Sequence, residues 1–85
     1  MKLVQIDWLD SCSVAGSTWK LKDEAVADGH ALKCSSVGWL LHSGRDAKTI
    51  VAHRAFGNPD GSLRSVSGEM TIPARAITKL RVLKK

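Results

Sequence analysis

The alternation of apolar and polar residues along the chain is typical of short β-strands. In the segment Lys2–Trp8, Val4, Ile6 and Trp8 fall on one side and polar residues separate them. A two-residue period places successive side chains on opposite faces of a strand. Four later segments show extended patterns of this kind: Leu32–His42, Thr49–Phe56, Glu69–Ile72 and Ile77–Leu83. The pattern therefore predicts five strands.

Between the first two strands, the sequence predicts a loop and then one short helix. Residues 10–18 are rich in serine and other turn-forming residues. The segment Leu21–Ala27 holds good helix formers, and Asp23 and Glu24 near its start complement the positive end of the helix dipole. Gly29 is placed to end the helix. We expect one or two helical turns near residues 21–28.

Turn signals between the later strands predict antiparallel neighbours. A polar connection at residues 43–48 is short enough for a hairpin. The cluster Gly57–Ser62 predicts either a hairpin tip or a loop that runs on to residue 67. Pro73 ends the fourth strand, and Ala74–Ala76 make one helical turn before the last strand. Many small barrels close with a strand, a helical turn and a strand.

These elements predict a mainly β fold. We expect a single small five-stranded antiparallel barrel with one short helix, over residues 1–85 as one domain. The closing Ile72-Pro73…Ile77 resembles the ends of Src-homology-3-like and Sm-like barrels, and this resemblance implies a barrel of that kind. A parallel sheet would need longer helical crossovers. A closed barrel also hides the strand edges that otherwise invite aggregation.

Two of the three tryptophans are predicted to pack in the core. Trp8 shares its face with the other apolar residues of the first strand, and Trp39 shares its face with Val37 and Leu41. Gly38 inside the second strand predicts a bulge, a sharp bend or a close backbone approach.

Composition limits the class of protein. A chain of 85 residues, 44% apolar and 25% charged, suits one soluble globular domain. No apolar run approaches the roughly 20 residues that cross a bilayer, and the N-terminus lacks the apolar stretch of a signal peptide. We therefore expect a cytoplasmic protein with no membrane partner. In that compartment Cys12 and Cys34 are predicted to be reduced thiols rather than a disulfide.

Positive charge is concentrated in the second half of the chain. Residues 1–40 hold four Lys and five acids, and residues 41–85 hold nine Lys or Arg and three acids, so the halves carry −1 and +6. This asymmetry favours an anionic partner such as a nucleotide or nucleic acid, although charge also serves solubility. The candidate ligand-binding residues are Arg45, Lys48, Arg54, Arg64, Arg75 and Trp19.

Some candidate residues have a second interpretation. Lys79 and Arg81 share a strand face, where they either join the loop arginines on a phosphate or block pairing at a sheet edge. Trp19 lies among polar residues, which favours either a ligand or partner contact or a lid over one end of the barrel.

The sequence gives no pattern for a metal, a cofactor or a catalytic group. Neither a paired cysteine motif nor a paired histidine motif is present. Cys34 alternates with core positions and Cys12 lies in a serine-rich loop, so neither is predicted to be a nucleophile. Asp10 or Ser11 is expected to cap a turn. We therefore expect a protein that is not an enzyme.

Several short stretches resemble a group of small uncharacterised proteins encoded by tailed bacteriophages. The stretches are Val4–Ser11, Ser36–Leu41 with its Ser-Val-Gly-aromatic-Leu strand, Thr49–Ala52, and Gly68–Pro73 with Ile77 in a closing Ile-Pro-x-x-x-Ile. The resemblance implies a phage accessory protein in the host cytoplasm that acts either in host takeover or against host defence, and it implies no catalytic residue.

Two functions are therefore expected. The first is capture of an anionic ligand on the basic surface. The alternative is an inhibitor or adaptor that applies Trp19 and residues 57–67 to a host protein. In either case a small core favours a homo-oligomer formed by pairing of edge strands.

Overall fold

A computed structural model describes residues 1–11 and 19–85. The strands are β1 (Leu3–Asp10), β2 (Leu32–Ser43), β3 (Ala47–Val51), β4 (His53–Ala55), β5 (Ser65–Ser67), β6 (Met70–Pro73) and β7 (Ile77–Lys84), with helix α1 (Lys22–Asp28) and a 3₁₀ turn at Ala74–Ala76. Most of the loop predicted at residues 10–18, with Cys12, lies outside the described residues.

The main sheet has five antiparallel strands in the order β6-β3-β2-β1-β7, and β4 and β5 form a separate pair. This confirms the predicted mainly β class, the five-stranded antiparallel sheet and the single short helix. Among the described residues, no ladder joins β6 to β7. The structure therefore shows an open sheet, and closure into a barrel stays a prediction.

The sheet is strongly curled around one small core. The core cluster consists of Val4 and Ile6 of β1, Ile50 of β3 and Ile72 of β6, and Val51 of β3 is also fully buried, outside this cluster. Two strands separate β1 from β6 in the sheet, so their side chains meet only because the sheet curls. Trp8, Leu40, Ala76, Ile77 and Leu80 pack around this core. The 3₁₀ turn joins the two edge strands, β6 and β7, directly.

The curl of the sheet places Trp39 outside the core, so the prediction that Trp39 packs in the core is wrong. Val4 pairs with Gly38, which places Gly38 on the concave, core-facing side and Trp39 on the convex side. A Cβ at Gly38 would lie 2.9 Å from the Val51 carbonyl oxygen and 3.1 Å from Ile50 Cβ. The predicted close backbone approach is thus confirmed. Trp39, however, lies outside the core because the narrow concave side has room only for a residue without a side chain.

A bulge changes the facing of β7 at its start. Asp7 pairs with Lys79 but Trp8 pairs with Ile77, so Thr78 is an extra residue, and its hydroxyl donates to the Asp7 carbonyl oxygen at 3.1 Å. The strict alternation predicted that Ile77 shares a face with Lys79. The bulge instead lets Ile77 pack against the core.

Strands β3 to β6 form one kinked hairpin. Ile50 pairs with Met70 and His53 pairs with Ser67. Each strand has moved on by three residues between these pairs, so the pairing stays in register across the kink. At the kink, the Ala52 N–H donates to the carbonyl oxygens of Ser67 (3.2 Å) and Gly68 (3.3 Å). The predicted strand Thr49–Phe56 is therefore two strands, and the outer half of the hairpin leaves the sheet at the kink.

The hairpin ends in a tight tip, which decides between the two predictions for residues 57–67. The Gly61 N–H donates to the Asn58 carbonyl oxygen at 2.8 Å, and Gly61 has a φ of +82°. The Asn58 side-chain amide donates to the Leu63 carbonyl oxygen at 3.1 Å. These bonds close a turn between β4 and β5.

Residues 19–31, which include α1, form an arm beside the sheet. The predicted helix and its acidic first turn are confirmed, with Asp23 and Glu24 at the positive end. Gly29 follows the helix with an ordinary φ of −73°, so its role does not depend on a left-handed conformation. The radius of gyration is 17.7 Å, whereas about 12 Å is usual for a compact chain of this length. Among the described residues, no helix is long and apolar enough to cross a membrane.

Candidate functional site

The convex side of the sheet, which we call the outer face, carries the features that best suit a binding site. Its position follows from the strand pairing, because residues that pair across antiparallel strands share a face. The residues of the outer face are Leu3, Gln5, Asp7 and Leu9 of β1, Lys33, Ser35, Val37 and Trp39 of β2, Val51 of β3, and Lys79, Arg81 and Lys84 of β7.

An arginine stacked on a tryptophan marks one end of the outer face. The guanidinium carbon of Arg54 lies 3.4 Å from the centre of the Trp39 ring and 5.2 Å from that of the Phe56 ring. Trp39 and Arg54 are half-buried, whereas Phe56 is 54% exposed. The kink after Val51 produces this contact, because it carries β4 over β2. Stacking holds the guanidinium in one orientation while the N–H groups at its rim stay available to a ligand.

Further cations lie across the sheet from this stack. Arg81 pairs with Gln5 and Lys84 pairs with Leu3, the residue that also pairs with Trp39. Adjacent strands are about 4.8 Å apart, so the backbones at Arg81 and Lys84 lie roughly 10–12 Å from that at Trp39. Lys79 and Lys33 continue the basic surface toward the arm.

Asp7 is the acidic residue within this basic surface. Its carboxylate accepts hydrogen bonds from the Gln5 amide at 3.2 Å and from the Ser35 hydroxyl at 2.9 Å. These bonds, with a smaller contribution from the charges of Arg81 and Lys79, hold the pKa of Asp7 below its ordinary value. Asp7 is therefore ionised at neutral pH and offsets one positive charge of the outer face.

The structure divides the predicted ligand-binding residues among separate places. Arg45, Lys48 and Arg75 lie together at the turn between β2 and β3, because the Ala74 N–H donates to the Asp46 carbonyl oxygen at 2.8 Å. Arg45 also forms an exposed ion pair with Asp46 at 3.2 Å. Lys48 is two residues from Ile50 and therefore shares the concave face with it, whereas Arg54 lies over Trp39 on the outer face. These three cations do not join Arg54 in one site.

Arg64 and Trp19 lie beyond the sheet. The Arg64 N–H donates to the Ala55 carbonyl oxygen, and its side chain crosses Gly57, where a Cβ would lie 3.1 Å from Arg64 Cδ. Arg64 thus belongs to the projecting half of the hairpin with Arg54. Trp19 is fully exposed on the arm, so the prediction of a lid over the barrel end is not what the structure shows.

Sequence reasoning missed the outer face as a whole. Lys79 and Arg81 were recognised as facing the same way, but Trp39 was assigned to the core and Phe56 had no role. Gly38 is the residue in the sequence that could have identified the inner face of β2. A glycine within a strand indicates close backbone approach, which occurs on the crowded, concave side of a curled sheet.

The described residues offer little for metal or thiol chemistry. Residues 1–11 and 19–85 contain no group of three or more His, Cys, Asp or Glu placed to hold a metal ion. Cys34 is a half-buried free thiol, and its Sγ lies 3.7 Å from the Leu32 carbonyl oxygen. His42 is eight residues along the same strand, roughly 26 Å away, which is too far for it to act as a base toward Cys34.

Comparison with known proteins adds no family to this description. No protein-family profile, curated protein or solved structure shows a significant match to the chain. A function has to be argued from the geometry of the chain itself.

Proposed function

We propose that the outer face binds an anionic ligand, and that the ligand is single-stranded nucleic acid or a nucleotide. The observation that carries the proposal is the Arg54 guanidinium stacked on Trp39, with Arg81 and Lys84 across the sheet. An arginine that is already oriented loses little further conformational entropy when it forms paired hydrogen bonds to a phosphate.

The aromatic residue beside the stack favours a nucleotide over a simple anion. Phe56 is 54% exposed and lies next to the Arg54 guanidinium, so a base could stack on its ring while a phosphate meets the arginine. Stacking of a base on an aromatic side chain contributes about 1–3 kcal/mol. The curved, exposed sheet is also too broad for the groove of a duplex, which usually accepts a helix or a two-stranded ribbon.

The biological context of this proposed activity is taken from the resemblance of the sequence to small tailed-bacteriophage proteins. The proposal is a non-enzymatic phage accessory protein that acts in the host cytoplasm, against host defence, by capturing such a ligand. The direct link of β6 to β7 through a 3₁₀ turn, together with the curl of the sheet, supports an open variant of the small barrels expected from the sequence.

Binding of a labelled oligonucleotide, followed by fluorescence anisotropy over a range of salt concentrations, tests the proposal. We expect Arg54→Gln and Arg81→Gln each to raise the dissociation constant about tenfold. Each should also reduce the slope of log K against log salt concentration by about 0.7, the value for one lost phosphate contact. Lys22→Gln is the matched control, since it removes one charge from the arm.

Two results would contradict this site. Binding that does not weaken as salt rises would exclude phosphate contacts. A larger loss from Arg45→Gln or Arg75→Gln than from Arg54→Gln would move the site to the turn between β2 and β3.

A second function is supported by where the two projections lie. The arm leaves the sheet between Asp10 and Leu32, which pair with each other, and the hairpin runs toward the same end because β3 is antiparallel to β2. Trp19 and residues 57–67 would then contact one host protein, as an adaptor or inhibitor. A pulldown from nuclease-treated host lysate that retains a stoichiometric protein, and loses it with Trp19→Ser, is the expected result; an empty pulldown would remove this function.

A further inference from the structure

The arm exposes an unusual amount of apolar surface for so short a segment. Trp19 is 102% exposed, Leu21 72% and Val26 70%. No side chain caps the N-terminus of α1, whose N-cap residue is Leu21. A helix of seven residues is far below the roughly 12–15 residues at which an isolated helix becomes even marginally stable in water. Within the described part of the chain, α1 makes few contacts with the sheet, so its helical conformation gains little from packing on its own strands.

A matching surface lies at the arm end of the sheet. An open pocket of about 590 Å³ is bounded by β1, β2 and β7 and has a mostly apolar lining. Its lining residues are Trp8, Leu9, Cys34 and Thr78, with Asp7, Lys33 and Ser35 at its polar side. The volume is ample for one tryptophan and one aliphatic side chain, and none of the arm residues of the same chain lines it.

The charges of the two surfaces are complementary. The first turn of α1 carries Asp23 and Glu24. The polar side of the pocket carries Lys33, and Lys79 lies beside it through its pairing with Asp7. Each surface also holds one opposing charge, Asp7 in the pocket and Lys22 at the start of α1, so the helix turn is acidic by one charge and the pocket region basic by one.

We propose that the arm docks in this pocket of a second copy of the chain, with Trp19, Leu21 and Val26 covering the pocket and Asp23 and Glu24 meeting Lys33 and Lys79. Reciprocal exchange of two arms gives a closed two-fold dimer. A buried tryptophan contributes about 150–250 Å², so the two arms supply about 300–500 Å² from Trp19 alone. The other arm side chains and the two receiving surfaces add to this area, and stable interfaces bury about 1,200–2,000 Å². The inference does not rest on the proposed ligand.

Sedimentation equilibrium of the full chain tests the dimer. The wild-type chain is expected to be a dimer that dissociates on dilution. Trp19→Ser should raise the dissociation constant at least about tenfold, as for a central aromatic contact. Phe56→Ser is the matched control, because it removes an exposed aromatic ring from the hairpin and should leave the dissociation constant unchanged. A wild-type monomer, or equal effects of both variants, would overturn the proposal.

A charge exchange identifies the occupant of the pocket. One variant carries Asp23→Lys with Glu24→Lys, and the other carries Lys33→Glu with Lys79→Glu. Each variant alone brings like charges together and should be monomeric, while their mixture should form a heterodimer in which both contacts are restored. Circular dichroism confirms that each variant is folded.

Two outcomes would defeat the arm exchange. No heterodimer in the mixture would mean that the arm folds onto its own sheet or binds a different protein. Dimers of both single variants would mean that self-association uses another surface. Failure of this experiment leaves oligonucleotide binding by the monomer intact, so the two proposals are distinguished.

Discussion

At the scale of single residues, Trp8 and Trp39 have different polar neighbours and therefore different roles. The Trp8 indole N–H donates to the Ser36 hydroxyl at 3.0 Å, so this tryptophan packs against the core with its polar atom bonded. Trp39 meets a cation instead, because it stands on the outer face beneath Arg54. The same residue type therefore has a packing role in β1 and a positioning role in β2.

The Arg54–Trp39 stack should contribute measurably to stability. We expect a double-mutant cycle with Arg54→Gln and Trp39→Leu to give a coupling energy of about 0.5–1 kcal/mol, the usual range for a cation over an indole near the surface. The free energy of unfolding in urea is the measurement. The matched cycle with Arg54→Gln and Phe56→Leu should give a smaller value, because that ring is 5.2 Å away. Equal couplings would contradict the stack.

Asp7 should make stability depend on acid pH. Its pKa is lower in the folded chain, so the ionised carboxylate stabilises the fold at pH values above the unfolded pKa of about 3.9, and this contribution is lost as pH falls through the folded pKa. We expect Asp7→Asn to be less stable than wild type at pH 6, with the difference shrinking as pH falls through the folded pKa of Asp7.

Thermal unfolding from pH 2 to pH 6 measures this effect. Asp60 also has a lowered pKa, owing first to the Ser62 hydroxyl, and it loses its contribution in the same direction. Asp60→Asn is therefore the comparison variant, because it removes the other acid with a lowered pKa, which lies in the hairpin tip. If the stability of Asp7→Asn relative to wild type did not change with pH, the hydrogen bonds from Gln5 and Ser35 would not favour the ionised form.

At the scale of elements, the kinked hairpin produces the candidate site. Its register continues from β3–β6 into β4–β5, so the two pairs behave as one unit. The break at Ala52 and Gly68 ends the pairing with β2 and brings Arg54 over Trp39 on the outer face. Without the kink, Arg54 would continue along the edge of β2 instead of lying over Trp39.

Gly68 should be essential for the kink. It has a φ of +70°, and a Cβ there would lie 2.8 Å from Ala52 Cβ. We expect Gly68→Ala to lower the free energy of unfolding by about 2–4 kcal/mol, from left-handed strain of about 1–2 kcal/mol and overpacking of similar size. Chemical denaturation provides the value.

A substitution at Gly61 separates the left-handed strain from the overpacking. It also has a positive φ, +82°, but a Cβ there would meet no atom within 4 Å. Gly61→Ala should therefore cost only the strain, about 1–2 kcal/mol. Equal losses at both glycines would show that contact with Ala52 plays no part in the kink.

At the scale of the whole molecule, one curl creates both the core and the outer face. Side chains from all five strands of the main sheet converge on the concave side. The residues that do not fit there, including Trp39, remain on the convex side with the cations of β7. The binding surface is therefore a consequence of how few large side chains the inside can hold.

The edge strand β6 should contribute to the core as strongly as a central strand. Ile72 is 1% exposed although β6 lies at the edge of the sheet. We expect Ile72→Val and Ile6→Val to lower the free energy of unfolding by similar amounts, about 0.5–1.5 kcal/mol each. Val37→Ala, at an exposed position on the outer face, should change it by less than about 0.5 kcal/mol. A negligible effect of Ile72→Val would mean that the sheet is flatter than described.

The sequence by itself determined the local structure. Alternating residues located the five strands of the main sheet, although not the break between β3 and β4 or the short strand β5. Pro73 and the small residues after it defined the turn before β7, and the acidic residues located α1. These features depend on neighbours in the chain, so short-range propensity and periodicity suffice to predict them. The +6 charge of residues 41–85 was equally visible, but not which of those charges would come together.

Tertiary structure alone decided which face of each strand became the inside. Periodicity separates two faces without ranking them, and in β2 the more apolar face, with Val37 and Trp39, is the outer one. The bulge at Thr78 likewise changes the face on which Ile77 lies, and the kink at Gly68 changes the direction of the outer half of the hairpin. Long-range pairing fixes these choices, because the space inside a curled sheet depends on strands that are distant in the sequence.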